Sequence, residues 1–456
     1  MASGGSVPSS SLRGRAMSAG AWSLAALIAS QAMRLGGNLI MARLLVPEMF
    51  GIMMIATTLS VVLALFSDIG LRQNIIQSKR GQDPLFLDTA WTLQIVRGFV
   101  LFALTVLIAA LAWLAQQRQW LPAGSTYAAD ELPGVLAVTG LSAVISGFQS
   151  TKVALAFRNF QQSKVALGEL VAQSGGLLVM LLLGWWTGSI WSLVVAGLVS
   201  VLITTLLSHL WFVGPANRPC WDRQALSELV SFGRWILLSS VVGVLAAQGD
   251  RIWLAGSLSA AELGIYAIAI LLLGAVETAV QKFAAAVALP AFSEAVRADN
   301  PLRLRHLYQR LRLLADFVLL FSCGFLSVAA PVLIGWLYDE RYSQAGQMLA
   351  VLAWSLFMLR YVVAQQLWLA LGRSKYLALD NLLRFAALWS LLPLLLALGG
   401  PEWALWGVAL HKLPTLLLVI WASRRLGFFS PGRELVVLPV LLLGLAAGWL
   451  MDYLLG

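Results

Sequence analysis

The side chains in this sequence that could do chemistry are charges set inside apolar runs. The basic ones are Arg34, Arg97, Arg251, Lys282, Arg360, Arg384 and Lys412, with Arg234 nearer the end of its run. The acidic ones are Asp68, Glu169, Asp250, Glu277, Asp316 and Asp380. A charge in the middle of an apolar run is costly to bury and ordinarily faces a cavity or a partner. Cations outnumber acids here, so a cavity built from these residues is net positive. Guanidinium groups hold phosphate and pyrophosphate through paired N–H bonds. The chemistry on offer is therefore recognition of an anionic, phosphate-bearing solute, and it suits a cationic solute poorly.

Local pairing competes with that reading at several positions. Asp380 and Arg384 are four apart in the chain and pair on one helix face. Asp250 and Arg251 lie near one end of their run, and Arg234, Lys282 and Asp316 near the other, where long side chains snorkel towards water. Arg34, Arg97, Arg360 and Lys412 lie deeper, with no partner on their own helix. These four, with Arg251, are the candidate substrate-binding cations. Glu277, Glu169 and Asp68 are the candidates for ion coupling, and structural pairing is an equal reading for Glu277. Three histidines (His209, His306, His411) and two separated cysteines (Cys220, Cys323) predict no metal site and no disulfide. No phosphate loop, HExxH or GxSxG motif occurs, so no cofactor and no enzymatic activity are expected.

The elements that must position these charges are membrane-spanning helices. Of 456 residues 60% are hydrophobic and only 11% charged, with mean hydropathy +0.83, whereas soluble domains carry about 25% charged residues. Apolar runs of about 20 residues read as spans. Thirteen are expected, near 18–43, 49–70, 88–115, 134–156, 165–186, 189–213, 229–255, 262–289, 313–337, 345–371, 376–398, 402–422 and 434–455. The class is all-α and polytopic. Met1 to Ser10, rich in Ser and Gly, is expected to be disordered, and the first span to be a retained helix.

Net charge is +10. It does not point to nucleic acid, because the basic residues sit in alternate short loops. Arg72, Lys79, Arg80, Arg158, Lys164, Arg218, Arg223, the stretch Arg297 to Arg312, Arg373, Lys375, Arg424, Arg425 and Arg433 fall on one side. The opposite loops hold little beyond Arg118 and Arg341, beside Asp130, Glu131, Asp339, Glu340 and Glu402. The positive-inside rule then predicts a cytoplasmic N-terminus. Within Arg297 to Arg312 the spacing of Leu304, Leu307, Tyr308 and Leu311 predicts a basic amphipathic helix on the membrane surface. Gly444 and Gly448 form a GxxxG packing motif in the last run.

Laid over itself so that Ser18 falls on Ser231, the chain also places Gly20 and Trp22 on Gly233 and Trp235, and Gly51-Ile52 on Gly264-Ile265. This internal repeat predicts two lobes of six spans related by a pseudo-two-fold axis along the membrane normal. The expected organisation is an N-terminal stretch (1–17), an N-lobe (18–213), a linker (214–228), a C-lobe (229–422) and a C-terminal segment with a thirteenth span (423–456).

The stretch from Arg34 to Gly51, with Ala-Arg-Leu-Leu-Val-Pro-Glu-Met-Phe-Gly at 42–51, then Phe66 to Leu71 and Ile75 to Gln77, resembles the opening of the bacterial polysaccharide transporter family. That family includes the O-antigen and exopolysaccharide flippases. The resemblance is strong as far as Arg80 and looser afterwards. It implies the fold shared with multidrug and toxin extruders and lipid II flippases, two six-helix lobes around a central cavity. It also implies alternating access that moves a polyprenyl-pyrophosphate-linked oligosaccharide from the cytoplasmic to the periplasmic leaflet of the inner membrane. Membrane lipids, and polysaccharide polymerase or export proteins, would be the partners. Arg34 is the best counterpart of the cavity cations that receive pyrophosphate in such flippases. A thirteenth span departs from the twelve-span pattern. Two other readings stand beside this one. A drug or metabolite antiporter of the same fold is disfavoured for cationic drugs by the excess of cations. A membrane-embedded polymerase or ligase is disfavoured by the short outer loops and the repeat.

Overall fold

In a hydrocarbon layer a spanning segment can satisfy all its own backbone N–H and C=O groups only as a helix, and this chain is helical nearly throughout. The computed structural model describes the backbone of residues 9–68, 70–159 and 161–455, and their side chains except at 9–24, 232–239 and 433. The first half comprises α1 (Ser9–Leu44), α2 (Pro47–Phe66), α3 (Leu71–Gln77), α4 (Pro84–Gln117), α5 (Leu132–Thr139), α6 (Leu141–Gly147), α7 (Lys152–Arg158), α8 (Gln162–Thr187) and α9 (Trp191–Leu210). The second comprises α10 (Arg223–Ala255), α11 (Ala260–Phe283), α12 (Leu289–Arg297), α13 (Pro301–Leu337), α14 (Gln344–Leu352), α15 (Ser355–Leu359), α16 (Val362–Ala370), α17 (Ser374–Leu410) and α18 (Leu413–Arg425). The chain closes with α19 (Pro431–Val436) and α20 (Leu438–Leu455).

Among the described residues nine stretches are long and apolar enough to cross a membrane, or ten if the pair Leu132–Gly147 and Lys152–Arg158, bent by 63°, counts as one. The longest, Ser374–Arg425, is 52 residues. Gly399 and Gly400 leave helical geometry inside it, Gly400 at φ 69°, so it turns there and returns. Helices α1 and α10 lie outside that set, though α1 has 36 residues and α10 has 33. Every one of the thirteen expected spans coincides with a helix or a chain of short helices.

Several expectations are corrected. The first span was expected to start near residue 18, after an N-terminal stretch disordered at Met1 to Ser10; residues 1–8 lie outside the described set, and α1 is already helical from Ser9, since no proline interrupts 9–44. The linker ends at Asp222, whose side chain caps α10 on the Ala225 N–H, so residues 223–228 are helical. The surface helix expected over 297–312 is not separate. Asn300 caps a new helix at Pro301 that runs unbroken to Leu337. The fourth and tenth spans, expected to be continuous, are each broken into three pieces. The break between α6 and α7 is held by Gln94, whose amide donates to the carbonyls of Ser146, Gly147 and Gln149.

The repeat reappears as reciprocal contacts. Helices α2 and α11 cross with their backbones touching. A Cβ added at Gly51 would lie 2.0 Å from the Ala260 carbonyl oxygen, and one at Gly264 only 1.8 Å from that of Pro47. Gly51 and Gly264 are equivalent positions of the repeat, and so are Pro47 and Ala260. A contact between i and j matched by its mirror is the signature of a two-fold axis, here passing between α2 and α11. Loops add a second matched pair. Thr126 donates through both its N–H and its hydroxyl to the Leu258 carbonyl. Arg341 and Tyr342 donate to the carbonyl of Leu45, the repeat equivalent of Leu258.

These contacts close the end of the bundle that carries the α1–α2 turn. Around them Met41, Leu45, Phe50, Ile265, Ile268, Tyr338 and Tyr342 form a buried apolar seal. Arg341 reaches the Ala42 carbonyl at 3.1 Å, a favourable place for a cation because the C-terminal end of α1 carries partial negative charge. Asp339 orients that guanidinium, and Arg341 in turn holds the Asp339 carboxyl below its ordinary range. Helix α20 packs on α13 through Gly444 and Gly324, where added Cβ atoms would fall 2.3 Å from carbonyls of the facing helix. This is the close approach a GxxxG motif permits.

Candidate functional site

Behind the seal lies the largest cavity described, about 720 Å³, between α1, α2, α8 and α9 on one side and α10 and α11 on the other. It is lined by methionines and small residues of α2, α8 and α9 and by three charged groups, Arg34, Arg251 and Glu277. Arg34 extends from α1 into open space, and Arg251 comes from the facing α10. Neither guanidinium forms an ion pair among the described residues, and Arg251 Nε is buried without a hydrogen-bond partner. Asp250, next to Arg251, points elsewhere: it is buried and accepts the Tyr266 hydroxyl. The expected snorkelling of Asp250 and Arg251 is thus corrected, because one is locked in a core hydrogen bond and the other faces the cavity.

A smaller cavity of about 250 Å³ in the second half shares Arg251, Glu277, Ile270 and Leu273 with the first. Lys412 lines it and pairs with Glu277 at 3.3 Å. Arg384 lines it too and pairs with Asp380 at 2.9 Å, as its i, i+4 spacing predicts. Gln365 donates to the same carboxylate. The joined cavities present four cations (Arg34, Arg251, Arg384, Lys412) and two carboxylates (Asp250, Glu277). With Asp380 behind Arg384 counted, one positive charge remains in excess. Since Arg384 and Lys412 have partners, that excess falls at Arg34 and Arg251.

The four deep cations expected to converge are not all brought together. Arg34 is in the main cavity, and Lys412 reaches its edge through Glu277. Arg97 sits in a separate pocket of about 300 Å³ in the first half. Arg360 is removed from the cavity altogether. It is 1% exposed, at the break between α15 and α16, with Nε 3.0 Å from Asp316 and Nη2 against Glu434. Arg312 completes a quartet with Asp316 at 3.6 Å and with Glu434. Asp316 therefore does not snorkel either; it is 4% exposed in this network. Sequence reasoning missed the quartet. The i, i+4 spacing of Arg312 and Asp316 was a usable signal, but Glu434 lies on a different helix, far along the chain from Arg360, and gave none.

Of the ion-coupling candidates, Glu277 lies between Lys412 and the main cavity. Glu169 is exposed in a groove that also holds Lys282 and Gln173, and Gln173 continues into the main cavity. Asp68 accepts the Gly70 N–H and stabilises the turn after α2.

Two lobes crossing at α2 and α11, with a cationic cavity between them, define a multi-pass membrane protein with a transporter fold. The structure superposes on the lipid II flippase MurJ in its inward closed conformation with TM-score 0.71, covering 94% of this chain and 91% of that one at 13% identity. It also superposes on an inward-facing multidrug resistance MATE transporter of the MOP superfamily with TM-score 0.68, covering 87% and 94% at 13% identity. The chain belongs to the polysaccharide biosynthesis protein family, whose model matches residues 40–347. It is 23% identical over 252 residues to the amylovoran biosynthesis protein AmsL of Erwinia amylovora. That match covers 54% of this chain and 62% of AmsL's length.

Proposed function

We propose that this protein is a flippase for a polyprenyl-pyrophosphate-linked oligosaccharide, with Arg34 and Arg251 holding the pyrophosphate. The observation that carries the reading is the pair of unpaired guanidinium groups facing one another across the inter-lobe cavity. A pyrophosphate entering a water-poor region loses hydration, and fixed cations must replace it. Two forks on opposite lobes can each take one phosphate bidentately. Closing and opening the lobes around them would carry the headgroup across while the lipid tail stays in the bilayer. The family's role in polysaccharide biosynthesis and the MurJ-like fold support this substrate class.

The basic loops favour a cytoplasmic N-terminus, with the sealed α1–α2 end towards the periplasm of an inner membrane. In that orientation the contacts at the α1–α2 end form the periplasmic gate of an alternating-access cycle. Glu277 gives Lys412 an internal anion, which an entering pyrophosphate would displace. A polysaccharide polymerase would act on the delivered product. A transporter of cationic drugs on this fold would meet repulsion at Arg34 and Arg251.

The test is export complementation in cells lacking the gene, with membrane protein levels measured in parallel. Arg34→Ala and Arg251→Ala are expected to abolish export at normal abundance, and Arg→Lys to restore it only in part, since lysine keeps the charge but not the fork. Wild-type export from both alanine variants refutes the reading.

A further inference from the structure

Arg97, the cation left out of the central cavity, forms no ion pair among the described residues. Its Nε donates to Ser67 Oγ at 2.9 Å and its Nη2 to the Ala64 carbonyl at 2.5 Å. Both acceptors are neutral, and Nη1 has no partner among the described residues. Asp68 is near enough to act on Arg97 through space, but its carboxylate accepts the Gly70 N–H and makes no direct contact with the guanidinium. Arg312, Arg360, Arg384 and Lys412 each contact a carboxylate. A guanidinium part-buried in an apolar bundle with neutral partners alone is a charge awaiting an anion.

The space beside Arg97 is shaped to receive one. Its pocket lies between α2, α4, α6 and α9 and is lined by Ser60, Gln94, Ser142 and Ser146; Ser60, Gln94 and Ser146 already donate to backbone carbonyls, so Ser142 is the hydroxyl donor left beside Arg97. That lining is rigid: a Cβ at Gly98 would fall 2.5 Å from the Ala143 carbonyl oxygen, so α4 and α6 touch along their backbones. The pocket shares no lining residue with the central cavity, but it lies further along the same face of α2. Met53 and Thr57 of α2 line the central cavity, and Ser60 and Ala64, one and two turns on, line this one. Thr57 to Ala64 is a rise of about 10 Å along a helix, the scale of a short oligosaccharide extending from a headgroup held at Arg34.

We propose that the Arg97 pocket is a second subsite for the same substrate, which takes a sugar bearing a carboxylate or phosphate substituent, with Arg97 as the specificity-determining cation. The proposal rests on the central cavity holding the pyrophosphate. Two contacts orient the guanidinium, and its Nη1 edge faces the ligand. A neutral sugar brings no counter-charge to the guanidinium, whereas an acidic one forms a charge-assisted hydrogen bond. Discrimination follows because the wrong sugar leaves a part-buried charge without a counter-charge in contact.

The experiment measures binding to the full chain in phosphatidylcholine nanodiscs with three probes: a uronate-bearing oligosaccharide, its neutral counterpart, and inorganic pyrophosphate. Wild type is expected to prefer the acidic over the neutral sugar by about tenfold to a hundredfold, the range of a hydrogen bond to a charged group. Arg97→Gln should erase that preference and leave pyrophosphate binding unchanged. Ser142→Phe, which fills the pocket and keeps the charge, should erase it as well, so the test survives a misfolded Arg97 variant. Equal binding of the two sugars by wild type, or a preference that persists in both variants, overturns the subsite. So does weakened pyrophosphate binding by Arg97→Gln, which would assign Arg97 to the headgroup. Loss of the acid preference in phosphatidylglycerol nanodiscs overturns it too, by showing that the pocket takes a lipid phosphate. Pyrophosphate binding that is indifferent to Arg34→Gln refutes the central-cavity reading instead, and is read separately from the sugar preference.

Discussion

Replacing Arg360 with alanine is expected to cost the protein its stability before it costs any grip on substrate. In the native structure Arg360 Nε lies 3.0 Å from Asp316, its Nη2 contacts Glu434, and the side chain is almost fully enclosed. Removing one partner of a buried ion pair costs about 3–5 kcal/mol, because the carboxylate left behind stays desolvated. Arg312 remains 3.6 Å from Asp316 and in contact with Glu434. The quartet therefore falls from balance to one excess negative charge, and the lower end of that range, about 3 kcal/mol, applies. Such a loss shifts the folded-to-unfolded ratio by more than about a hundredfold. The assay is thermal unfolding of detergent-purified protein by tryptophan fluorescence, with membrane abundance measured alongside. The double variant Arg360→Met with Asp316→Asn restores charge balance between Arg312 and Glu434 and is expected to recover most of the loss. If Arg360→Ala melts like wild type, is present at wild-type levels and still fails to export, the structural reading of Arg360 is wrong and the residue belongs to transport.

Gly51→Ala and Gly264→Ala each place a methyl hard against a facing carbonyl, so both should force α2 and α11 apart. The cost is about 1–3 kcal/mol for an overpacked contact, and cysteine cross-linking across the seal should become less efficient; unchanged cross-linking counts against the reciprocal contact. Asp339 has its carboxyl held low by Arg341. Its contribution to the seal is therefore present at and above the ordinary carboxylate value of about 4 and is lost as pH falls below it. Seal cross-linking should be flat from about pH 5 to 8, fall in acid, and lose that acid step in Asp339→Asn. Glu277→Gln removes the partner of Lys412, so pyrophosphate should bind more tightly and with a steeper salt dependence; weaker binding would show that Glu277 itself serves the ligand. Cys220 lies in the basic inter-lobe segment and is partly exposed. An impermeant thiol reagent should miss it in intact cells and label it in inverted vesicles, and labelling from outside reverses the orientation.

Much of this architecture is local in origin and was legible in the chain. Hydropathy marks a span because the solvent of each residue in it is lipid, whatever its neighbours. The repeat was visible because Gly51 and Gly264 must lack a Cβ where the two helices touch, so the same residue recurs at the same place in each half. The i, i+4 pair Asp380 and Arg384 was visible because helix geometry alone brings such residues together. The helix breaks were less legible. Those after Gly147 and at Arg360 carry no proline and depend on partners supplied from elsewhere, such as the Gln94 amide and the Asp316 carboxylate.

Charge, by contrast, could be located in the sequence but not assigned. Composition and spacing by themselves determined an all-helical membrane protein, its two-fold plan and a surplus of cations inside it. Only the tertiary structure decided which cations are spent: Arg360 and Arg312 on Asp316 and Glu434, Lys412 on Glu277, Arg384 on Asp380. It left Arg34 and Arg251 facing one cavity and Arg97 facing another. The reason is range. Solvent class and helix pairing are set within a single turn or span, whereas the partner of a buried charge is whichever side chain the packed helices bring within reach. For Arg360 that includes Glu434, on a helix the chain reaches only after threading α16, α17 and α18.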